Sequence, residues 1–221
     1  MQQLPLGVRL NDRATFASFL TGGNQRAVAA LHELREGMLY LYGPQGSGKS
    51  HLLQAWCASM AGSAYFELQS LRALGPSVLE GAERLAAVAL DGLFAVAGDA
   101  DWERALFRLY NERDAMRLPT LWADALPARE LGWKLPDLRS RLDAIVHVGL
   151  APLDESQQRA ALQLRAAQRG LELPEDAAVY LQRHFPRDMG SLYGLLDRLD
   201  EAALREQRRL TTPFIREVMG R

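Results

Sequence analysis

The sequence predicts an α/β fold, in which a five-stranded, mainly parallel sheet is followed by a small, entirely helical domain. Three observations lead to this prediction. Five short apolar runs alternate with stretches of helical potential, a glycine-rich loop directly follows the first run, and the strand signal ends after Pro152. A chain of 221 residues is long enough to bury a core in each of the two parts.

The five apolar runs are the candidate strands. Strands that are buried on both faces of a parallel sheet are continuous apolar segments, and Gly, Pro and Asp commonly end them. The candidate strands are Met38–Tyr42, Ala64–Leu68, Leu85–Leu90, Pro119–Ala123 and Ile145–Leu150.

One amphipathic segment lies between the third and fourth runs. Trp102, Leu106, Leu109 and Tyr110 recur at i, i+4, i+7 and i+8 with charged residues between them. This spacing is typical of a helix that packs against a sheet. We therefore interpret these side chains as core rather than as part of a ligand site.

The chain beyond Pro152 is predicted to be helical. Asp154 and Thr212 are candidate N-caps, and Pro213 would then occupy a first helical position. The predicted organisation is an N-terminal peptide at 1–11, an α/β domain at 12–151 and a helical lid at 152–221.

The strongest motif is the loop GPQGSGKS at residues 43–50, which lies between a strand-like and a helix-like segment. In a G-x-x-x-x-G-K-[ST] loop, backbone N–H groups surround phosphates, the lysine contacts the terminal phosphates and the hydroxyl binds Mg²⁺. The loop predicts ATP or ADP with Mg²⁺ as cofactors, although an ordinary glycine-rich turn is the alternative. The predicted nucleotide-binding residues here are Gly43, Pro44, Gln45, Gly46, Ser47, Gly48, Lys49, Ser50 and His51.

A candidate acidic partner ends the third apolar run, LAAVALDGL. Asp91 would hold Mg²⁺ together with Ser50, through the nucleotide, although it could also simply cap its strand. The next residue is Gly92, where a hydrolytic ATPase of this type usually has a second acid. We therefore expect little ATPase activity from this chain alone.

Composition limits the classes of partner. The 26 basic and 27 acidic residues give a formal net charge of −1, so no general attraction to nucleic acid or anionic lipid is expected, and any link to DNA would be indirect. Cys57 is the only cysteine, which excludes an intramolecular disulfide framework. Without a signal peptide or an apolar run of about 18 residues, we expect a cytoplasmic protein with no membrane partner.

The order of the motifs resembles that of AAA+ ATPases of the DnaA initiator type. The loop, the Asp91 strand, LWADALPARE and DLRSRLD come in this order before the helical lid, over nearly all of 12–221. The segments ATFASFL, LPDLRSRLD, LQLRAAQRGLELPED and RRLTTPFIREVM resemble more narrowly the Hda family, the DnaA regulatory inactivators that lack a DNA-binding domain. The resemblance implies a P-loop AAA+ nucleotide-binding domain with a small all-α lid.

The same resemblance implies roles for single residues. Arg141 in Ser-Arg-Leu matches the arginine finger that acts in trans, with Arg139 two residues earlier, and a solvated arginine on a helix is the alternative. Asp124 stands at the sensor 1 position, where a turn-forming aspartate is the alternative. The sensor 2 arginine is replaced by Gly190, and Arg187 could partly substitute for it.

The N-terminal stretch QQLPLG resembles the short peptides with which bacterial proteins bind the DNA polymerase sliding (beta) clamp. Gln3, Leu4 and Leu6 match, and Val8 is the candidate last apolar anchor. A frayed tail, or a segment packed on its own domain, is the alternative. An extended peptide of this kind inserts apolar side chains into a groove, and its proline reduces its disorder before binding.

The resemblance as a whole implies a negative regulator of chromosomal replication initiation, with DnaA and the clamp as partners. In this role the chain would stimulate hydrolysis of DnaA-bound ATP. A stand-alone AAA+ ATPase, and a DnaA-related adaptor or loader that does not inactivate DnaA, are the alternatives. The sequence leaves a homo-oligomer open.

Overall fold

The computed structural model describes residues 14–186 and 188–220, and it confirms the predicted α/β fold with a helical C-terminal part. Its sheet has five strands, all paired in parallel, in the order β2-β3-β4-β1-β5. The strands are β1 Met38–Tyr42, β2 Ser63–Glu67, β3 Ala87–Asp91, β4 Thr120–Asp124 and β5 Val146–Gly149.

Helices connect the strands and form the C-terminal part. No helix within the described ranges is long and apolar enough to cross a membrane. The helices are α1 Gln25–Glu33, α2 Lys49–Ala58, α3 Leu68–Leu71, α4 Ala100–Ala115, α5 Pro136–Ala144, α6 Glu155–Ala167, α7 Glu175–His184, α8 Met189–Glu206 and α9 Thr212–Met219. Single 3-10 turns cover Phe16–Ser18, Arg72–Leu74, Pro76–Leu79, Ala82–Arg84, Leu93–Ala95 and Ala128–Glu130.

The observed strands lie within two residues of the predicted ones. The largest difference is at β3, which begins at Ala87 and not at Leu85. The backbone N–H of Leu85 donates to the carbonyl of Ala82, 3.3 Å away, so this residue still belongs to the preceding 3-10 turn. The strand then continues through Asp91, which places that carboxylate at its carboxyl end.

The described residues divide into two units, each with its own core. The larger unit contains 14–16, 24–44 and 48–151, and the smaller unit contains 17–23, 45–47 and 152–220. In the larger unit, the sheet packs against helices that include α4. All four side chains of the predicted apolar stripe, from Trp102 to Tyr110, are buried in this core.

The smaller unit contains α6 to α9, packed around a core of leucine, alanine and aromatic side chains. Asp154 is the N-cap of α6, as predicted, and it forms a reciprocal capping box with Gln157. The predicted cap of α9 is wrong by one residue. Thr211 accepts the N–H of Phe214, whereas the Thr212 hydroxyl donates to Asp176 and Thr212 is the first helical residue.

Candidate functional site

Asp91, Asp124 and the beginning of the glycine-rich loop lie at the carboxyl edge of the sheet of the larger unit. Tyr42, the last residue of β1, pairs with Asp124 at the end of β4. Asp91, at the end of β3, pairs with Ala123 of β4. Ligands of open α/β sheets bind outside the carboxyl ends of the strands, where the strand order reverses. The order β3-β4-β1-β5 therefore places the loop after β1 and both aspartates at one such edge.

The glycine-rich loop continues directly into α2. Gly48 is the N-cap of this helix with φ of 94°, a left-handed conformation that glycine adopts without a steric penalty. The first N–H groups of a helix have no intrahelical partner, and together with the helix dipole they form a site for an anion. The backbone of the loop thus fits a phosphate group.

Lys49, the first residue of α2, folds its side chain over the loop. Its Nζ donates to the carbonyl oxygens of Gly43 at 2.6 Å and Pro44 at 3.0 Å. Burial lowers the pKa of Lys49, while the negative charges of Asp91 and Asp124 oppose this shift. The ammonium is therefore held between the loop and the two carboxylates, where a terminal phosphate would need a cation.

The remaining loop residues differ in exposure. Pro44, Gln45 and Gly46 are exposed, Ser47 is buried and Ser50 is exposed. The His51 ring nitrogen Nε2 lies 2.9 Å from the carbonyl oxygen of Thr15, so this side chain contacts the backbone of a preceding segment.

Asp91 is a buried carboxylate, 7% exposed, and it is bound by two hydroxyl groups. The Tyr65 hydroxyl donates to its Oδ2 at 2.8 Å. Burial raises the pKa of Asp91, while hydrogen bonds from Ser50 and Tyr65 and the charge of Lys49 oppose the rise. Ser50 and Asp91 thus present the hydroxyl and carboxylate oxygens that Mg²⁺ prefers, so the donor set fits a nucleotide-bound magnesium ion.

Asp124 is also buried, but its partners are backbone groups. One carboxylate oxygen accepts the N–H of Phe94 at 2.6 Å, and the other accepts the N–H groups of Ala125 at 2.7 Å and Leu126 at 3.4 Å. These bonds connect the turn after β3 to the turn after β4. The contacts correspond to the turn-forming alternative, and a sensor 1 role for Asp124 stays a prediction.

Gly92 follows Asp91 directly and contributes no side chain to the site. Its φ is 78° and its ψ is 49°, and its N–H donates to the carbonyl of Ala123 at 3.0 Å. The chain turns away from the sheet here and enters the 3-10 turn Leu93–Ala95. The position after Asp91 therefore has no carboxylate.

Arg141 lies on the exposed face of α5, whose other face packs through the buried side chains of Leu138 and Leu142. Its guanidinium carbon is 5.9 Å from the ring centroid of Tyr110. Among the described residues, no carboxylate lies within ion-pair distance of Arg141. Arg139 differs, because its Nε lies 3.8 Å from an oxygen of Asp143 one turn further along the helix.

Comparison with known proteins identifies the lid domain and the fold. Residues 154–219 match the family model for the lid domain of Hda. The structure of domain III of the Thermotoga maritima replication initiation protein DnaA superposes with a TM-score of 0.79 at 21% identity, over 96% of this chain and 98% of that chain. Residues 154–219 therefore match the Hda lid domain, and the chain as a whole has the AAA+ fold seen in this DnaA domain.

Two other solved structures show how widely this AAA+ fold is shared. AMPPCP-bound DnaA from Aquifex aeolicus matches with a TM-score of 0.71 and 19% identity, over 91% of this chain and 70% of that one. The Thermotoga maritima RuvB Holliday junction branch migration motor matches with a TM-score of 0.56 and 16% identity, over 89% and 69%. The AAA+ fold is thus common to these DnaA and RuvB structures and to this chain.

One further predicted residue, Gly190, belongs to the smaller unit. Gly190 is in the first turn of α8, where Asp188 accepts the N–H of Ser191 as the N-cap. Arg187 lies outside the described residues, as do the four residues of the predicted clamp-binding peptide, Gln3, Leu4, Leu6 and Val8.

Sequence reasoning did not identify Tyr65 as part of the site. Its hydroxyl reaches Asp91 because β2 and β3 are neighbours in the sheet, where Tyr65 pairs with Ala89. In the sequence Tyr65 is one apolar residue of a buried run, and its only distinguishing feature is the hydroxyl. The order of the strands would have been needed to connect it with Asp91.

Proposed function

We propose that this protein binds ATP or ADP with Mg²⁺ and regulates replication initiation by stimulating hydrolysis of the ATP bound to DnaA. The observation that carries the proposal is the exposed Arg141 of α5, which has no carboxylate partner among the described residues. A guanidinium in this state retains its N–H donors for an oxyanion on another molecule.

Nucleotide binding by this chain is supported by the loop and by Asp91. Lys49 would neutralise the terminal phosphates, while Ser50 and Asp91 would hold Mg²⁺ directly or through water. The magnesium ion, when bound, would offset phosphate charge and orient the phosphate oxygens. Two of the similar DnaA structures are bound to AMPPCP, which supports the same ligand class.

Inefficient hydrolysis by the chain alone is supported by Gly92 and Gly190. Residue 92 has no carboxylate that could orient an attacking water, and residue 190 has no guanidinium for the phosphates. The bound nucleotide would then act mainly on the conformation in which this protein binds DnaA. A stand-alone ATPase is the second candidate, favoured by the intact loop, and turnover by the purified chain would support it.

Arg141 would act in the nucleotide site of DnaA and not in its own. An arginine finger stabilises the charge that develops on the transferred phosphoryl group, and such fingers raise rates by about 10³–10⁵ in other systems. The Hda-type lid and the DnaA-like fold support DnaA as the recipient.

Clamp binding would bring the protein to DNA without requiring direct contacts between the protein and the DNA. The net charge of −1 offers no general attraction to the phosphate backbone, so a clamp that encloses DNA would provide the link. The residues proposed for this contact are Gln3, Leu4, Leu6 and Val8.

The experiment that tests the proposal is single-turnover hydrolysis of labelled ATP on DnaA, with DNA-loaded clamp and saturating amounts of each variant. Arg141→Ala should lower the stimulated rate at least about 10²-fold, because a preorganised charge is removed from the transition state. Arg139→Ala is the matched control and should have a mild effect, since it loses only an exposed ion pair.

The possible outcomes separate the candidates. Equal rates for Arg141→Ala and the wild type would exclude the finger, and a larger defect in Arg139→Ala would assign it two residues upstream. Wild-type protein that binds DnaA without accelerating hydrolysis would instead support an adaptor or loader.

A further inference from the structure

A buried carboxylate outside the nucleotide site holds the beginning of α5. Glu103 lies on α4 and is 1% exposed. Its Oε2 accepts the backbone N–H groups of Leu135 at 2.6 Å and Lys134 at 3.0 Å, and its Oε1 accepts that of Gly98 at 2.6 Å. All of these partners are backbone groups, so Glu103 serves to fix the chain at Gly98 and at the two residues before α5.

The N-terminus of α5 has no side-chain cap of its own. Leu135 is its N-cap, with no capping hydrogen bond from its side chain, and Pro136 follows as the first helical residue. A negative charge near this end also interacts favourably with the helix dipole. Glu103 therefore takes the place of a local cap, although it lies on another helix, 32 positions before Leu135 in the chain.

Helices α4 and α5 also contact each other further along, through Tyr110 and Arg141. Tyr110 lies seven residues after Glu103, hence on the same face of α4 two turns further along, and it is buried. Its ring lies beneath the guanidinium of Arg141. An exposed cation–π contact is worth about 0.5–1 kcal/mol, which orients a side chain without preventing its transfer to a stronger partner.

Arg141 is six residues from Leu135, which is about 9 Å along a helix. A small tilt of α5 at its first residue would therefore displace the guanidinium. Misplacement of a reacting group by about 1 Å can cost on the order of 10² in rate. The direction of Arg141 thus depends on how firmly the first turn of α5 is held.

We propose that Glu103 and Tyr110 are positioning residues for Arg141, with Glu103 fixing the start of α5 and Tyr110 orienting the guanidinium. This inference rests on the proposed function of Arg141. It adds that α4 determines how well the finger reaches its target. Neither Glu103 nor Tyr110 touches a reacting group in this scheme, so each acts through the placement of Arg141.

The first test uses the free protein and does not depend on DnaA. In Glu103→Gln, one acceptor oxygen is replaced by an NH₂ group. Amide hydrogen exchange at Lys134 and Leu135, followed by NMR, should accelerate roughly tenfold or more, because hydrogen bonds to a charged acceptor are lost. Glu112→Gln, the same change at an exposed position of α4, should leave these amides unchanged.

The second test concerns the aromatic ring. The NMR signals of the Arg141 side chain should show a ring-current shift that disappears in Tyr110→Leu and persists in Tyr110→Phe, because phenylalanine keeps the ring. This pair also keeps the proposal testable if Glu103→Gln does not fold.

The third test measures hydrolysis on DnaA over a range of concentrations of each variant. Glu103→Gln and Tyr110→Leu should lower the maximal rate about 10-fold to 100-fold, with less than about a twofold change in the half-saturating concentration, since orientation and not binding is affected. Tyr110→Phe should retain the wild-type rate.

Unchanged exchange at Leu135 in Glu103→Gln would overturn the positioning role of Glu103. A wild-type maximal rate for Tyr110→Leu, or a defect confined to the half-saturating concentration, would overturn that of Tyr110. If wild-type protein does not stimulate DnaA at all, the proposed function fails, while the exchange and NMR measurements still decide whether α4 holds α5 and Arg141.

Discussion

At the scale of single residues, Asp91 is the group whose protonation links the site to stability. Burial raises its pKa, so the folded protein binds a proton at this carboxyl more tightly than the unfolded chain does. The stability contributed by the protonated form is fully present at pH values below the pKa of the unfolded chain. It is lost as the pH rises through the pKa of the folded state, so the ionised carboxylate destabilises the fold at neutral pH.

Asp91→Asn should therefore raise the melting temperature of the nucleotide-free protein at about pH 7, because an amide accepts the Tyr65 hydrogen bond without carrying a buried charge. The same change should abolish the additional stabilisation that Mg²⁺ gives in the presence of ATP. Thermal unfolding from about pH 4 to pH 8, with and without MgATP, measures both effects. Glu112→Gln, the loss of an exposed carboxylate of α4, is the control and should leave both quantities unchanged. A lower melting temperature for Asp91→Asn at neutral pH would contradict this argument.

Lys49→Ala tests the phosphate-binding loop. Loss of the ammonium should weaken ATP binding about tenfold or more, since charge-assisted contacts to phosphate are worth at least this factor. Calorimetric titration with ATP and ADP measures the change. Lys134→Ala removes the other lysine of the chain, whose side chain is exposed, and should bind nucleotide as the wild type does. Equal affinities for both variants would refute the assignment of the loop.

At the scale of elements, α4 is fixed at its C-terminal end by a buried arginine. Arg113 is fully buried, and its donors reach the Thr120 hydroxyl and the carbonyl groups of Ala82, Leu85 and Pro119 at 2.7–2.9 Å. Burial lowers the pKa of this guanidinium to about 10, so it remains charged at neutral pH. The arginine thus joins α4 to the 3-10 turn before β3 and to the start of β4.

Arg113→Leu should lower the free energy of unfolding by about 3 kcal/mol or more, because several buried acceptors lose their donors at once. For a protein of this size, this corresponds to a fall in melting temperature of roughly 6–12 °C. Arg104→Leu is the matched control on the same helix, since within the described residues Arg104 forms an exposed ion pair with Asp101 and no buried network. Equal stabilities of the two variants, by urea denaturation, would show that the buried network contributes little.

The elements differ in how far the sequence predicts them. The strands were predictable within two residues because apolar runs and turn residues are local signals, and the stripe from Trp102 to Tyr110 was predictable because helical period is local too. The strand order could not be predicted from local signals, and therefore the contact between Tyr65 and Asp91 could not be predicted either. Glu103 could not be recognised either. A glutamate on an amphipathic helix normally faces solvent, and only the tertiary fold brings the backbone of Leu135 to it.

At the scale of the whole molecule, we propose that the N-terminal peptide would determine where the protein acts, by binding the clamp. Gln3→Ala combined with Leu4→Ala should abolish co-elution with the sliding clamp in gel filtration, because a short recognition peptide depends on a few anchors. The circular dichroism spectrum and nucleotide affinity should remain those of the wild type. Wild-type co-elution of this double variant would exclude the peptide as the clamp contact.

Gly92 also has a consequence for how this protein could change over evolutionary time. A carboxylate at residue 92 would require an L-amino acid to adopt φ of 78°, a left-handed conformation that is unfavourable by roughly 1–2 kcal/mol for residues with a Cβ atom. The hydrogen bond from Gly92 to Ala123 holds the backbone in place, so the strain could not be relieved without disturbing the turn after β3. A lineage with this glycine could therefore acquire an acid at residue 92 only at a cost in stability, which a stabilising change elsewhere in the fold would have to offset.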